Sequence, residues 1–100
     1  DEAVDMYTEA AAQGHVRSQF ILGCLYRDGH GCSPSDKRAI EMFTKAAEQG
    51  DMISQYSLGV MYGGGRGGGA QSETLAIQWY IKAANNGSIT GQYNLGNRYR

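Results

Sequence analysis

AVDMYTEAAAQG (Ala3–Gly14), AIEMFTKAAEQG (Ala39–Gly50) and AIQWYIKAANNG (Ala76–Gly87) are one string written three times, 36 residues apart at the first step and 37 at the second. Between the copies runs a second recurring string: SQFILGCLY (Ser18–Tyr26), SQYSLGVMY (Ser54–Tyr62) and GQYNLGNRY (Gly91–Tyr99). A period of that length, made of two helix-like segments, marks an α-solenoid in which each repeat completes its core by stacking on its neighbours. The expectation is therefore an all-α chain of antiparallel helix pairs. Such an array offers an extended surface for binding rather than a cleft for catalysis.

The first string has helical spacing. Ala39, Phe43, Ala46 and Ala47 fall on one face, as do Ala76, Tyr80, Ala83 and Ala84, and likewise Ala3, Tyr7, Ala10 and Ala11. Glu41, Thr44, Lys45 and Glu48 take the other side. Paired alanines let helix backbones approach closely, and Gly14, Gly50 and Gly87 are placed to end each helix in a left-handed conformation. In the second string Ser18, Leu22 and Tyr26 form one stripe, repeated by Ser54, Leu58 and Tyr62 and by Gly91, Leu95 and Tyr99. Gly23, Gly59 and Gly96 sit mid-helix, where each costs about 1 kcal/mol relative to Ala. A cost taken at the same place in every copy predicts close helix packing there. In the linking loop RDGHGCSPSDK, Ser33 is expected to cap the next helix, with Pro34 its first residue and Asp36 the acidic third. In the longer loop GGGRGGGAQSE, Ser72 and Glu73 take that part. Six helices are expected, at about 1–13, 15–28, 34–49, 51–62, 72–86 and 88–100.

Bulk properties agree. One hundred residues, 41% hydrophobic and 19% charged, describe a globular chain of one domain rather than a disordered one. A net charge of −1 argues against nucleic acid or an acidic membrane held by a general electrostatic field. No stretch approaches a membrane-spanning length. The chain opens inside one string and stops inside the other. It reads as an excerpt of a longer array: a half repeat at 1–14, full repeats at 15–50 and 51–87, and a half repeat at 88–100. An excerpt would leave Val4, Tyr7, Leu95 and Tyr99 without stacked neighbours. Cys24 and Cys32 are too few to build a disulfide scaffold, and the compartment is not legible from them.

The order Ser-Gln-x-x-Leu-Gly-x-x-Tyr-x-x-Gly-x-Gly, then an acidic residue three before Ala, then aromatic-x-Lys-Ala-Ala-x-x-Gly, resembles the Sel-1-like repeat. It fits as Ser18-Gln19, Leu22-Gly23, Tyr26, Gly29, Gly31, Asp36, Ala39, Phe43, Lys45-Ala46-Ala47 and Gly50. It fits again as Ser54-Gln55, Leu58-Gly59, Tyr62, Gly65, Gly67, Glu73, Ala76, Trp79-Tyr80, Lys82-Ala83-Ala84 and Gly87. Tetratricopeptide repeats rank second, since their shorter period lacks room for the Gly-x-Gly loop. The resemblance implies a right-handed superhelix that serves as an adaptor in multiprotein complexes. One branch of that family links its helices by a disulfide in each repeat. The corresponding positions here are Ala47 with Gln55 and Ala84 with Gln92, so the chain falls outside that branch.

The Leu-Gly helix has a face opposite its Ser/Leu/Tyr stripe, and in repeat solenoids that helix lines the concave surface. On it lie Arg17, Phe20, Cys24 and Arg27, then Ile53, Tyr56 and Val60, then Thr90, Tyr93 and Asn97 with Asn94 beside them. Phe20, Tyr56 and Tyr93 form an aromatic ladder, the residue type that anchors interfaces. The leading reading is that these rings wedge between adjacent repeats as structure, with both roles open to one ring. The candidate partner-binding set is Arg17, Phe20, Cys24, Tyr56, Val60, Tyr93, Asn94 and Asn97.

Other chemistry is weaker. GGGRGGG (Gly63–Gly69) contains G-x-G-x-x-G, but a nucleotide loop needs a preceding strand, and this run lies between helices; it reads as a flexible loop. Cys24, His30 and Cys32, with Asp28 or Asp36, match no standard zinc spacing, and Cys24 and Cys32 read as small apolar residues at positions held by Val60 and Gly68 in the next copy. His15 and His30 lie at a helix start and in a loop, neither with a repeating polar partner, so no catalytic constellation is assigned. No cofactor and no metal is expected. The leading function is an adaptor that binds a protein or peptide on the concave face, stacked on neighbouring repeats of the same chain. The alternatives are a regulatory module docked on or fused to an enzyme, and an architectural spacer.

Overall fold

A computed structural model of the chain describes residues 2–64 and 72–86. Five helices and no strand occupy the described residues: α1 (Glu2–Ala12), α2 (Val16–Asp28), α3 (Asp36–Glu48), α4 (Met52–Gly63) and α5 (Glu73–Asn85). They match the first five expected helices to within two residues. The sixth, at 88–100, lies outside the described residues, as do Gly87, Tyr93, Asn94, Asn97 and most of the GGGRGGG run. Of that run, Gly63 closes α4 and Gly64 caps it.

Extensive packing among the described residues runs between consecutive helices, α1 on α2, α2 on α3, α3 on α4 and α4 on α5. The interior is therefore a seam along the stack. Its middle is a cluster of Ala39, Phe43, Ala47, Leu58 and Met61, edged by Phe20, Cys24, Tyr26, Ile40, Tyr62 and Trp79. The alanine stripe is buried as its spacing requires: Ala39, Phe43 and Ala46 are fully enclosed, as are Ala76 and Ala83. In α1 the same stripe is half covered, with Ala3 exposed and Tyr7 and Ala10 half-buried, because its one extensive partner is α2.

Two mid-helix glycines carry the close approach. A Cβ at Gly23 would lie 2.7 Å from the Phe43 ring, and one at Gly59 would lie 2.6 Å from the Tyr80 ring. Both glycines are buried, so each accepts the ring of the aromatic residue on the next helix. The helix-propensity penalty of each glycine is offset by the ring it admits.

Three kinds of joint repeat along the chain. At the turn from α1 to α2, Gly14 (φ 86°) bonds to Ala11 O and His15 N bonds to Ala10 O. At the turn from α3 to α4, Gly50 (φ 95°) bonds to Ala47 O and Asp51 N to Ala46 O. This is the Schellman pattern, and only Gly takes its left-handed position without strain. The next residue then becomes the N-cap of the following helix. Asp51 Oδ2 accepts from Ser54 N at 2.8 Å and from Ser54 Oγ at 2.5 Å; His15 Nδ1 accepts from Ser18 N at 3.2 Å and bonds to Ser18 Oγ at 2.6 Å.

The second joint closes the loops. Ser35 N donates to Tyr26 O at 2.8 Å and Ser72 N donates to Tyr62 O at 3.0 Å, so both loops begin and end at the same clasp. The extra residue of the second loop is absorbed between them. The clasp also moves the helix start: Ser35, not Ser33, is the N-cap of α3, and its Oγ accepts from Arg38 N at 3.2 Å. Pro34 packs on Gly29 outside the helix, and Asp36 is the first helical residue rather than the third. Ser72 caps α5 through Leu75 N, as expected.

The third joint is a buried amide ladder. Gln19 Nε2 donates to Ala11 O at 3.2 Å, and its Oε1 accepts from Gln49 Nε2 at 2.8 Å. One repeat on, Gln55 Nε2 donates to Ala47 O at 3.0 Å, and its Oε1 accepts from Asn86 Nδ2 at 2.7 Å. Both glutamines are buried, and burial of an amide is tolerated because its donor and acceptor are both engaged. Each rung ties three successive helices: the end of one, the start of the next and the end of the third.

Candidate binding surface

With Ser18, Gln19, Leu22 and Gly23 buried on α2, and Ser54, Gln55, Leu58 and Gly59 on α4, the opposite faces of these helices are what the stack leaves accessible. Arg17 is exposed, as are Ile53 (56%) and Val60 (44%). Phe20 and Tyr56 are half-buried and occupy the same register on α2 and α4. Each is braced from behind: the Phe20 and Phe43 centroids are 5.8 Å apart, as are those of Tyr56 and Tyr80, both pairs tilted. Tilted pairing at this distance is favourable for aromatic rings. Each ring therefore packs against its repeat and keeps part of its surface open.

Cys24 lies half-buried against the central cluster. Burial pushes its thiol up, partly countered by the nearby Arg27 charge and reinforced by Asp28. A protonated, desolvated thiol behaves as a small apolar filler. Arg27 is held charged by its hydrogen bond to Asp28 (Nε to Oδ1, 3.1 Å), and its guanidinium lies 5.8 Å from the Phe43 centroid. Cys32 is a free thiol whose Sγ lies 3.6 Å from Leu25 O. Among the described residues no three His, Cys, Asp or Glu side chains gather as a metal cage. His15, assigned no repeating polar partner from sequence, has one: Ser18, whose counterpart Ser54 meets Asp51 in the same way.

A second accessible feature lies on the other side of α2. A groove of about 150 Å³ lies between α1 and α3, lined by the buried Ala11 and Leu22, the half-buried Tyr26 and Met42, and the exposed Thr8, Ala12 and Lys45. The Arg38 guanidinium stands 5.6 Å from the Tyr26 centroid. In the next repeat Trp79 takes the place of Met42 and Lys82 that of Lys45, and the Lys82 ammonium lies 4.5 Å from the Trp79 centroid.

The Sel1 repeat pattern matches this sequence at residues 1–15, 16–51 and 53–88, most of its length. The chain belongs to the Sel1 repeat family. Its fold is that of an all-α helical-repeat solenoid. The chain is similar to a solved structure of a protective antigen from uropathogenic Escherichia coli strains that displays this fold (TM-score 0.90, 32% identity), over 96% of this chain and 20% of that one. It is similar also to a Sel1 repeat protein from Oxalobacter formigenes (TM-score 0.87, 32% identity), over 96% of this chain and 38% of that one. The chain thus spans a fifth and under two fifths of the length of these two solenoids. No curated protein matches it in sequence. Sel1 repeat proteins are generally non-catalytic scaffolds for protein interaction. No helix among the described residues is long and apolar enough to cross a membrane.

Proposed function

We propose that this Sel1 array binds an extended peptide or a partner domain across the face carrying Arg17, Phe20, Cys24, Tyr56 and Val60. Tyr93 and Asn97 continue that face in sequence register, with Asn94 beside them. The observation that carries the reading is the repeated, braced aromatic: Phe20 and Tyr56 stand at one register on successive Leu-Gly helices, each held 5.8 Å from a core ring. A ring fixed from behind loses little entropy on binding, which suits it to anchor a partner. The exposed Ile53 and Val60 add apolar surface beside Tyr56.

The test uses peptides selected from a phage-displayed random library on the whole chain. Tyr56→Ala should weaken the selected peptides by about 30-fold, the loss of an interface anchor, while the melting temperature falls little. Peptides that bind Phe20→Ala and Tyr56→Ala as tightly as the parent would move the site off this face. Loss of binding together with loss of helicity would make the rings structural and defeat the anchor reading.

A further inference from the structure

The two complete helix pairs solve one packing problem differently. At the joint between α3 and α5, Trp79 packs on the cluster that includes Ala47 and Leu58, with Lys82 above its ring. At the joint between α1 and α3, the register partners of those residues are Ala11 and Leu22, with Met42 in place of Trp79 and Lys45 in place of Lys82. Here the space is open, about 150 Å³. That volume is on the scale of a benzene ring, here in a groove open on one side. The lining and the cation for an aromatic ring are retained, and the ring itself is missing.

The geometry points to the α1–α3 groove as a receptor for an aromatic side chain, an indole foremost, presented by a partner polypeptide. Three features of the groove select that chemistry. Lys45 lines the groove at the register position of Lys82, whose ammonium lies over the Trp79 ring, and a cation there is complementary to the negative face of a π system. Met42 offers a polarisable thioether, and Tyr26 a ring that also packs on the central cluster and meets the Arg38 guanidinium. The surface also continues an established joint, since the incoming ring would complete in trans the contact that Trp79 makes in cis. Leu22 and Tyr26 lie on the side of α2 opposite Phe20 and Cys24, so the site is separate from the aromatic-ladder face. The inference rests on the adaptor reading only in taking its ligand from a polypeptide.

The test titrates the whole chain with N-acetyl-tryptophanamide, with N-acetyl-leucinamide as the aliphatic control, and follows backbone amide shifts. The tryptophan probe should move the amides of Thr8, Ala11 and Ala12 and bind at least about threefold more tightly than the leucine probe. Met42→Trp should fill the groove from within and abolish the response. Trp79→Met should open a second groove and add shifts at Thr44, Ala47 and Glu48. Lys45→Ala, at an exposed position, should cut the preference for tryptophan over leucine without disturbing the fold, so it decides the matter should Met42→Trp fail to fold. Equal binding of the two probes, or tryptophan shifts that persist in Met42→Trp, overturns the proposal. None of these outcomes touches Tyr56, so the peptide-binding face stands or falls separately.

Discussion

The pair α2–α3 and the pair α4–α5 agree at Gly23 and Gly59, at Gln19 and Gln55 and at Ser35 and Ser72, and they part company at Met42 and Trp79 and at His15 and Asp51. Every agreement lies where one helix meets another, on a buried ring, a buried amide or a loop clasp. The two differences named fall at the joint between alternate helices and at a helix start, while buried exchanges such as Phe43 for Tyr80 keep a ring in place. Stacking constrains the first kind, because an error there propagates to the neighbouring repeat. The second kind is free to vary, and variation there gives each repeat its own surface.

The largest effect expected from that comparison belongs to the glycines. Gly23→Val and Gly59→Val should each lower the unfolding free energy by about 3 kcal/mol, because a side chain must displace an enclosed ring. Denaturant titration of both variants checks whether the two copies are equally tight. A loss below about 1 kcal/mol in either copy would mean that its ring is free to move and that the repeats are not equivalent there. The amide ladder should show a smaller, matched pair of effects. Gln19→Leu and Gln55→Leu should each cost about 1 kcal/mol, since apolar burial offsets part of the two lost hydrogen bonds. Unequal losses would rank the two rungs. The caps give the smallest effect and a change of sign. His15→Asp should stabilise the chain by about 0.5 kcal/mol, by placing at the start of α2 the negative charge that Asp51 supplies to α4. Asp51→His should reverse it. Thermal melts of both variants measure the pair, and a destabilising His15→Asp would show that the imidazole does more than cap.

The fold was legible because a helix pair written repeatedly leaves one consistent reading of its periodicity. Gly23 and Gly59 likewise announced close packing by recurring where glycine is costly. The position of the α3 cap was misread from Ser33-Pro34, a local signal that looks like a helix start. The register comparison of Ser35-Asp36 with Ser72-Glu73 would have corrected it, since the Tyr26 and Tyr62 carbonyls clasp those serines. The ladder could have been seen as two columns of amides, Gln13, Gln49 and Asn86 in one and Gln19, Gln55 and Gln92 in the other. Pairing them required knowing which faces meet across 30 residues of chain, which periodicity alone does not give. The groove between α1 and α3 was illegible for a different reason. A cavity is the volume left after side chains pack, and Met42 in a helix string reads the same whether it fills its space or not.

The amide rungs have a bearing on how such a chain can change over generations. Each unit brings a glutamine that reaches back to the preceding Ala carbonyl and a terminal amide that answers the same glutamine from the far side. A gene segment of one period, duplicated or deleted, would carry matching fittings to both of its new borders. At the positions where one branch of the family is expected to use cystine, Ala47 and Gln55 meet through a neutral hydrogen bond. That fastening closes without an oxidant and does not open to a reductant, so an array built from it can lengthen or shorten by whole units in any redox setting.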